Sequence, residues 1–473
     1  MRSSGKTKST PGGPRLGMRA RRTLKKYAAA TWRSLETMTD PKTGLPADYI
    51  EADGTRAGYT SPTNIASLLW STLAAGELGL IASDEAQARI ATTLRTLSEL
   101  ERFKGQYFNW YEPASGQKLI VFPPDNSKLY PFLSSVDNGW LAAALIMVRN
   151  ALPRLREQAA AILEEVDLGF YYDSGEGHLR NGYWPESPPH MDDVDGFTAH
   201  HYGALNSEAR IASYVAIARR QVPEKHYFQL WRTFPDDWDW QEMKPQGVTR
   251  NYLGVDVYEG HYRYRGMEIV PSWGGSMFEA LMVPLLVPEE DWAPRSWRIN
   301  HPRYVQAQIE HGLDEAGYGY WGFSPCSDPA GGYREYGVDP LGLNPDGYSS
   351  DEERTTVDYG FPPSRPPKPL PDAYGQGIVT PHAGLLALDF APDETLANLA
   401  KLRRDFDVYD KRGGFYDAVN VRTGVVARRY LALDQGMIMM AIANALLDNR
   451  LQAYFAEGEI EAVIHPLIAQ EAF

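Results

Sequence analysis

At 473 residues the chain is long enough for one large domain or for two or three average ones. Its net charge of −14, from 61 acidic against 47 basic residues, argues against nucleic acid or an anionic membrane surface as a partner. The single cysteine, Cys326, excludes an internal disulfide, and no Cys/His spacing suggests zinc, so no metal or cofactor is expected.

The first 26 residues carry nine basic side chains, from Arg2 to Lys26, with no apolar run behind them. This is not a secretory signal, and no window approaches the ~18–20 apolar residues of a membrane span. Residues 1–18 read as a disordered basic tail. The expected location is cytoplasmic, or secreted or periplasmic if the start is trimmed or misassigned.

Helical periodicity begins at Arg19–Met38 and is ended by the turn at Asp40–Gly44. Ser61-Pro62 starts the next helix, with Ser61 as N-cap and Pro62 at the first helical position. Ser83 starts a third. Ser134 and Ser135 open SSVDNGWLAAALIMV, and a helix to about Val166 follows Pro153. Leu205–Arg220 reads as a helix capped by Asn206 or Ser207, with an apolar stripe of Ile211, Val215 and Ala218. Glu208 falls beside that stripe. A carboxylate there needs a partner or a task, and Arg210 or Arg219 would serve as partner.

Further helices fit Glu224–Arg232, Ser272–Leu286, Pro302–Glu315, Pro381–Asp389, Asp393–Arg404, Tyr430–Asp448 and Asn449–Gly458. Thr233–Val270 reads as a long loop, and residues 331–377, with PPSRPPKPLP at their centre, as a Pro-rich surface excursion bordering a cleft. About twelve helices, almost no strand signal and no fixed repeat fit an all-α (α/α)6 barrel spanning residues 19–473, with loops building a cleft at one end. The alternative is two helical domains divided near Gly331.

Five helix starts carry an acid or amide: Tyr59–Asn64, Ser134–Gly139 with Asp137 and Asn138, the start at Glu208, Ser272–Glu279, and Leu431–Gly436 with Asp434 and Gln435. Each alone reads as capping. Together, on one rim, they would supply paired carboxylates among aromatics, the arrangement that glycosidic bond cleavage uses.

From Tyr59 onward the chain resembles the bacterial glucoamylase-like family that includes glycoside hydrolase family 144, and the C-terminal domain of cyclic β-1,2-glucan synthases. The resemblance rests on TSPTNI, RFKGQYFNWY, SSVDNGWLAAAL, NSEARIASYVAIA, SWGGSMFEALM, YGYWGFSP, VTPHAGLLALDFAP, GGFYDAVN and YLALDQGMI, in that order. It implies an (α/α)6 barrel acting on glucans, foremost β-1,2-glucan, with an oligosaccharide or polysaccharide as its partner.

By that resemblance Glu208 matches the family's general acid, and Asp137 a cleft acid that serves as base or sugar ligand. Glu279 and Asp434 are weaker candidates; Glu279 could instead orient Arg263 or Arg265. Trp110, Tyr111, Trp140, Trp273 and Trp321 are candidate sugar platforms or core aromatics. Asn64, Asn138, Arg210, His382 and Gln435 complete the expected substrate-binding set, His382 reading equally as a structural hydrogen-bonding residue. In the cyclic-glucan synthase relatives a glutamate stands where this chain has Pro325, and that glutamate fits a covalent nucleophile. Proline cannot replace it and Asp328 is displaced, so an inverting hydrolase is expected. Transglycosylase, phosphorylase, acidic-sugar lyase and non-catalytic glycan binder are the alternatives. A phosphate loop is not found, and the net acidity opposes an acidic substrate.

Overall fold

The computed structural model describes residues 16–189, 193–234, 243–343 and 377–473. Among these, fifteen α-helices follow in order: α1 (Met18–Met38), α2 (Pro62–Glu77), α3 (Ser83–Glu99), α4 (Ser135–Ala151), α5 (Arg156–Glu165), α6 (Arg210–Ala218), α7 (His226–Gln229), α8 (Met277–Leu281), α9 (Glu289–Trp292), α10 (Trp297–Glu310), α11 (Pro381–Leu386), α12 (Pro392–Asp405), α13 (Ala432–Leu446), α14 (Arg450–Ala456) and α15 (Glu459–Ile468). The expected helices are present, but the expected near-absence of strands is not: twenty-five strands, most of them short, lie between them among the described residues.

The caps explain where the helices begin. Ser61 Oγ accepts from the Asn64 amide at 3.1 Å, and Pro62 occupies the first position, where no amide donor is needed. Ser134 and Ser276 cap α4 and α8 in the same manner, accepting from the amides of Asp137 and Glu279 at 3.2 Å each.

Burial sorts the helices into two sets. The run Leu141–Val148 of α4 is wholly buried, and α2 and α13 are buried on nearly every side. A helix apolar all round belongs inside. α2 packs between α4 and α13, α4 packs on α6, and α11 packs on both α8 and α13. α6 and α8 are tied by Arg210, which donates to the Ala280 carbonyl at 2.9 Å. Outside this set lie α1 against α13, α3 against α2, α5 against α4, α10 against α8 and α12 against α11. α14 and α15 close on α4 and α6. One apolar cluster runs from Leu24 to Ile468, so helices from both sides of Gly331 share it.

Several boundaries differ from expectation. Glu208 lies in a turn two residues before α6 rather than inside the helix. Ser272–Trp273 is a short strand, paired in parallel with Gly342–Leu343, and α8 starts only at Met277. The predicted loop 233–270 contains an antiparallel hairpin, Gln246–Tyr252 with Val255–Tyr264, and a third strand, Met267–Ile269. In the predicted excursion, Tyr333–Arg334 pairs with the preceding Cys326–Ser327, residues 331–335 are exposed as expected, and 336–343 are buried, so this second part is core rather than surface. The rest of the excursion, 344–376, and nearly all of the N-terminal tail lie outside the described residues.

Close helix approach depends on small residues. A Cβ on Gly139 of α4 would stand 2.5 Å from the Ala212 Cβ of α6, and one on Gly436 of α13 would stand 2.5 Å from the Ser67 Cβ of α2. Gly139→Ala should therefore force α4 and α6 apart and cost about 1–3 kcal/mol. Thermal unfolding measures this as a lowered midpoint. An unchanged midpoint would show that the contact yields freely.

Candidate active site

The capping geometry places functional groups at one repeated position. Asn64, Asp137, Glu279 and Asp434 are each the third residue of their helix, α2, α4, α8 and α13. A side chain there can fold back to its own N-cap. Here three of the four reach other elements instead. Asn64 Nδ2 donates to Asp48 at 2.6 Å, and Asp137 accepts from Thr63 Oγ1 of α2 at 2.6 Å. Glu279 Oε2 accepts from the Glu208 amide at 2.9 Å and from Ser207 Oγ at 2.8 Å. Asp434 faces Asp417 and His382, its Oδ2 3.3 Å from His382 Nδ1.

Glu208 sits among these groups. The Trp140 indole Nε1 donates to its Oε2. Burial, and then the Glu279 carboxylate, push the Glu208 pKa well above the usual carboxylate range; Asp137 and Glu335 act in the same direction, and the Trp140 hydrogen bond opposes them. Burial also raises Asp137 and Glu279, each against hydrogen bonds that favour the anion. It takes Asp48 up to about 6 and Asp434 to about 7. Glu335 is reached by solvent, yet surrounding protein and then Glu279 raise its pKa to about 7.

The remaining predicted residues divide by burial. Trp110 is half-buried, edge-on to Tyr59 at 5.0 Å and beside Phe122, and Trp273 is also half-buried. Neither is sealed in the core. Tyr111 is fully buried, its hydroxyl donating to the Glu101 carbonyl at 2.6 Å. Asn138 is fully buried and bonds both the amide and the carbonyl of Tyr107. Trp321 is buried in the core, with its backbone held by Asn398. Gln435 donates to the Phe415 carbonyl at 3.1 Å. Arg210 is locked on the Glu289 carboxylate at 2.8 and 3.0 Å. These five brace the scaffold and offer no surface to a ligand. Trp140 is likewise no platform, because its ring is wholly buried; it acts on Glu208 through its N–H. Glu279 does not orient Arg263 or Arg265, which pair with Glu268 and Glu310. Cys326 is buried, in keeping with a filler role.

Sequence reading misses Asp48, Glu335 and Asp417. All three stand in loops or strand ends, where no periodicity marks an inward-facing side. Asp328, the displaced acid near Pro325, is held by the Tyr336 hydroxyl and lies 3.2 Å from Arg334.

Residues 200–458 match the Glycoamylase family, described as putative glucoamylase, over more than half of the chain. The chain belongs to this family. Residues 26–175 also match a protein family of unknown function, DUF3131. Among curated proteins it is similar to the cyclic beta-(1,2)-glucan synthase NdvB of Rhizobium meliloti (strain 1021), 24% identical over 95% of this chain. The match takes in 18% of NdvB, so the chain spans less than a fifth of that relative. Among solved structures it is similar to an endo-beta-1,2-glucanase from Chitinophaga pinensis, in complex with sophorotriose and glucose: TM-score 0.67, 17% identity, 95% of this chain and 98% of that one. It also matches an endo-beta-1,2-glucanase from Talaromyces funiculosus in complex with sophorose: TM-score 0.64, 12% identity, 95% and 88% of the two chains. These likenesses place the chain in an α/α-barrel class of fold.

The electrostatic surroundings of Glu208 make opposite demands on two variants. Glu279→Gln removes a neighbouring negative charge and should lower the Glu208 pKa. Trp140→Phe removes a donor to the anion and should raise it. NMR titration of glutamate labelled with ¹³C at the carboxyl carbon reads both, the Glu208 signal being the one lost in Glu208→Gln. Shifts in the same direction would contradict the assignment of causes.

Proposed function

We propose that this protein is a glycoside hydrolase that cleaves β-1,2-linked glucan, with residues 19–473 forming one (α/α)6 catalytic barrel. The observation that carries the proposal is Glu208, a partly buried carboxyl group that accepts from Trp140 and whose backbone amide is held by Glu279, its pKa pushed well above the usual carboxylate range by its surroundings and by neighbouring acids. A general acid for a glycosidic oxygen needs that state at neutral pH. The family match supports glucan chemistry, and the names of the relatives, two endo-beta-1,2-glucanases and a cyclic beta-(1,2)-glucan synthase, support the linkage. The pairing of inner with outer helices supports the six-pair barrel.

In this reading Glu208 protonates the leaving oxygen. A second carboxylate activates water on the opposite face of the sugar, directly or through a relay, and the two carboxyls stand ~6.5–9.5 Å apart to admit that water. Asp137 is the base that the resemblance nominates. Glu335 is a second candidate, favoured by its exposure to solvent and by a pKa of about 7, which suits a base working at neutral pH. Asp328 supplies no nucleophile, because Tyr336 and Arg334 already engage it. Trp110, Trp273, Asn64, His382 and Asp434 complete the proposed sugar-binding set.

Glu208→Gln should reduce hydrolysis by ~10²–10⁴ while leaving the fold and sugar binding nearly intact. The assay is product chromatography on linear β-1,2-, β-1,3-, β-1,4- and α-1,4-glucans. Retention of half the wild-type turnover on the best substrate would remove Glu208 from the role, and absence of cleavage on every glucan would favour a non-catalytic glycan binder.

Proton NMR of the first-formed reducing end tests the stereochemistry. An initial α-anomer from a β-linked glucan is expected. An initial β-anomer, or abundant transfer products, would mean that another residue acts as nucleophile. Asp137→Asn and Glu335→Gln, compared on the same substrate, identify the base as the variant with the larger loss in kcat.

A further inference from the structure

A second cluster takes in two members of the proposed sugar-binding set, His382 and Asp434, and one residue with no role in the proposed proton transfers, Asp417. His382 comes from α11, Asp434 from α13, and Asp417 from the residue before the strand Ala418–Asn420. All three are buried, with exposures of 2%, 5% and 2%. One donor atom from each, an imidazole nitrogen and two carboxylate oxygens, lies within 4.8 Å of the others.

What sets the cluster apart is its unmet bonding. Among the described residues neither ring nitrogen of His382 has a hydrogen-bond partner, and Asp417 Oδ1 and Asp434 Oδ2 find none outside the cluster, where the two carboxyl groups stand within hydrogen-bonding reach of each other. The other oxygen of Asp417 is held by the Ser327 amide at 2.7 Å, which fixes the direction of the carboxylate. Buried polar atoms are nearly always paired, and two carboxylates facing each other inside a protein repel. The sequence leaves His382 as either a sugar ligand or a structural hydrogen-bonding residue; in the fold it is aimed at the acids and makes no hydrogen bond.

We propose that His382, Asp417 and Asp434 bind a first-row divalent cation, Zn²⁺ or Mn²⁺. Donors sharing one ion stand no farther apart than twice a ligand distance, roughly 4–5 Å for nitrogen and oxygen ligands at ~2.0–2.5 Å. The measured spread meets that limit. Two carboxylates with one imidazole form a mixed oxygen and nitrogen set that suits zinc or manganese better than magnesium or calcium, which favour all-oxygen sites. The ion would cancel the charge of both acids and occupy the imidazole lone pair, and three protein donors leave coordination positions for water or a sugar hydroxyl. Because the ligands come from segments 35 and 17 residues apart, none of the compact spacings that advertise a metal site in sequence is present.

The test uses the tag-free, full-length protein, stripped with a chelator and titrated calorimetrically with ZnCl₂ and MnCl₂. One equivalent of Zn²⁺ or Mn²⁺ should bind and raise the thermal unfolding midpoint, because an ion that binds only the folded state stabilises it. Asp417→Asn and His382→Gln should each weaken binding by more than ~10-fold and abolish the midpoint shift. Absence of stoichiometric binding, or binding that both variants retain, overturns the proposal and leaves a carboxyl pair sharing one proton. Should the variants fail to fold, pulsed EPR of the wild-type Mn²⁺ complex decides. Nitrogen coupling from one imidazole supports the site, and its absence overturns it.

Discussion

Too many carboxyl groups share too little water at one end of this protein for all of them to be charged at once. Glu208, Glu279 and Asp137 act on one another there, with the solvent-reached Glu335 at their edge, and loss of water does more than any neighbour to raise the pKa of each. Like charges in a dry site cannot all ionise near neutral pH, so some must keep their protons. The protein decides which by hydrogen bonding. Glu279 receives an amide and a hydroxyl, and Asp137 receives Thr63, both aids to the anion. Glu208 receives only the Trp140 indole, and the negative charge of Glu279 bears on it more than that of any other acid. Glu208 thus combines a strongly raised pKa with one hydrogen bond to its carboxylate among the described residues.

That arrangement depends on the scaffold. Helix N-termini favour negative charge through their free amides and dipoles, which offsets part of the cost of gathering acids there. Bringing several termini together requires helices that approach closely, hence the glycine at Gly139 against Ala212 and the one at Gly436 against Ser67. It also requires the seam between α6 and α8 to stay shut. Arg210 does this from beneath, pairing with Glu289 and donating to the Ser207 and Ala280 carbonyls, while Glu279 does it from above. One buried ion pair and one partly buried carboxylate therefore fix the turn that carries Glu208.

Much of this is legible in the sequence where a local rule applies. Ser61-Pro62 and Ser134 announce helix starts by chemistry that needs no tertiary context, whereas the sequence reading starts α8 at Ser272, four residues before its true cap, Ser276. The hairpin at Gln246–Tyr264 is not legible: its polar first strand reads as loop, and its turn, Leu253-Gly254, puts a leucine rather than the usual Asn, Asp or Gly at a positive φ. Other features are not local. Arg210 pairs with a glutamate 79 positions away, and Trp140 meets Glu208 across 68. Periodicity cannot tell a buried tryptophan that stacks on sugar from one that donates to an acid. Asp48, Glu335 and Asp417 lie in irregular segments, where nothing in the sequence states which way a side chain points.

The same charge distribution narrows the chemistry that the site can accept. A phosphorylase must hold an anion beside the scissile bond, and a lyase of acidic sugars must hold a carboxylate. Both would enter a region that holds Asp48, Asp137, Glu279 and Glu335. The nearby Arg210 guanidinium is engaged by Glu289 and backbone carbonyls, and Arg429 is engaged by Glu51. Repulsion there acts at low effective dielectric, so it is larger than the same charges would exert in water. A neutral sugar and a water molecule meet no such barrier, and sugar hydroxyls can donate to every one of these oxygens. Electrostatics therefore weighs against an anionic substrate or an anionic nucleophile at this site.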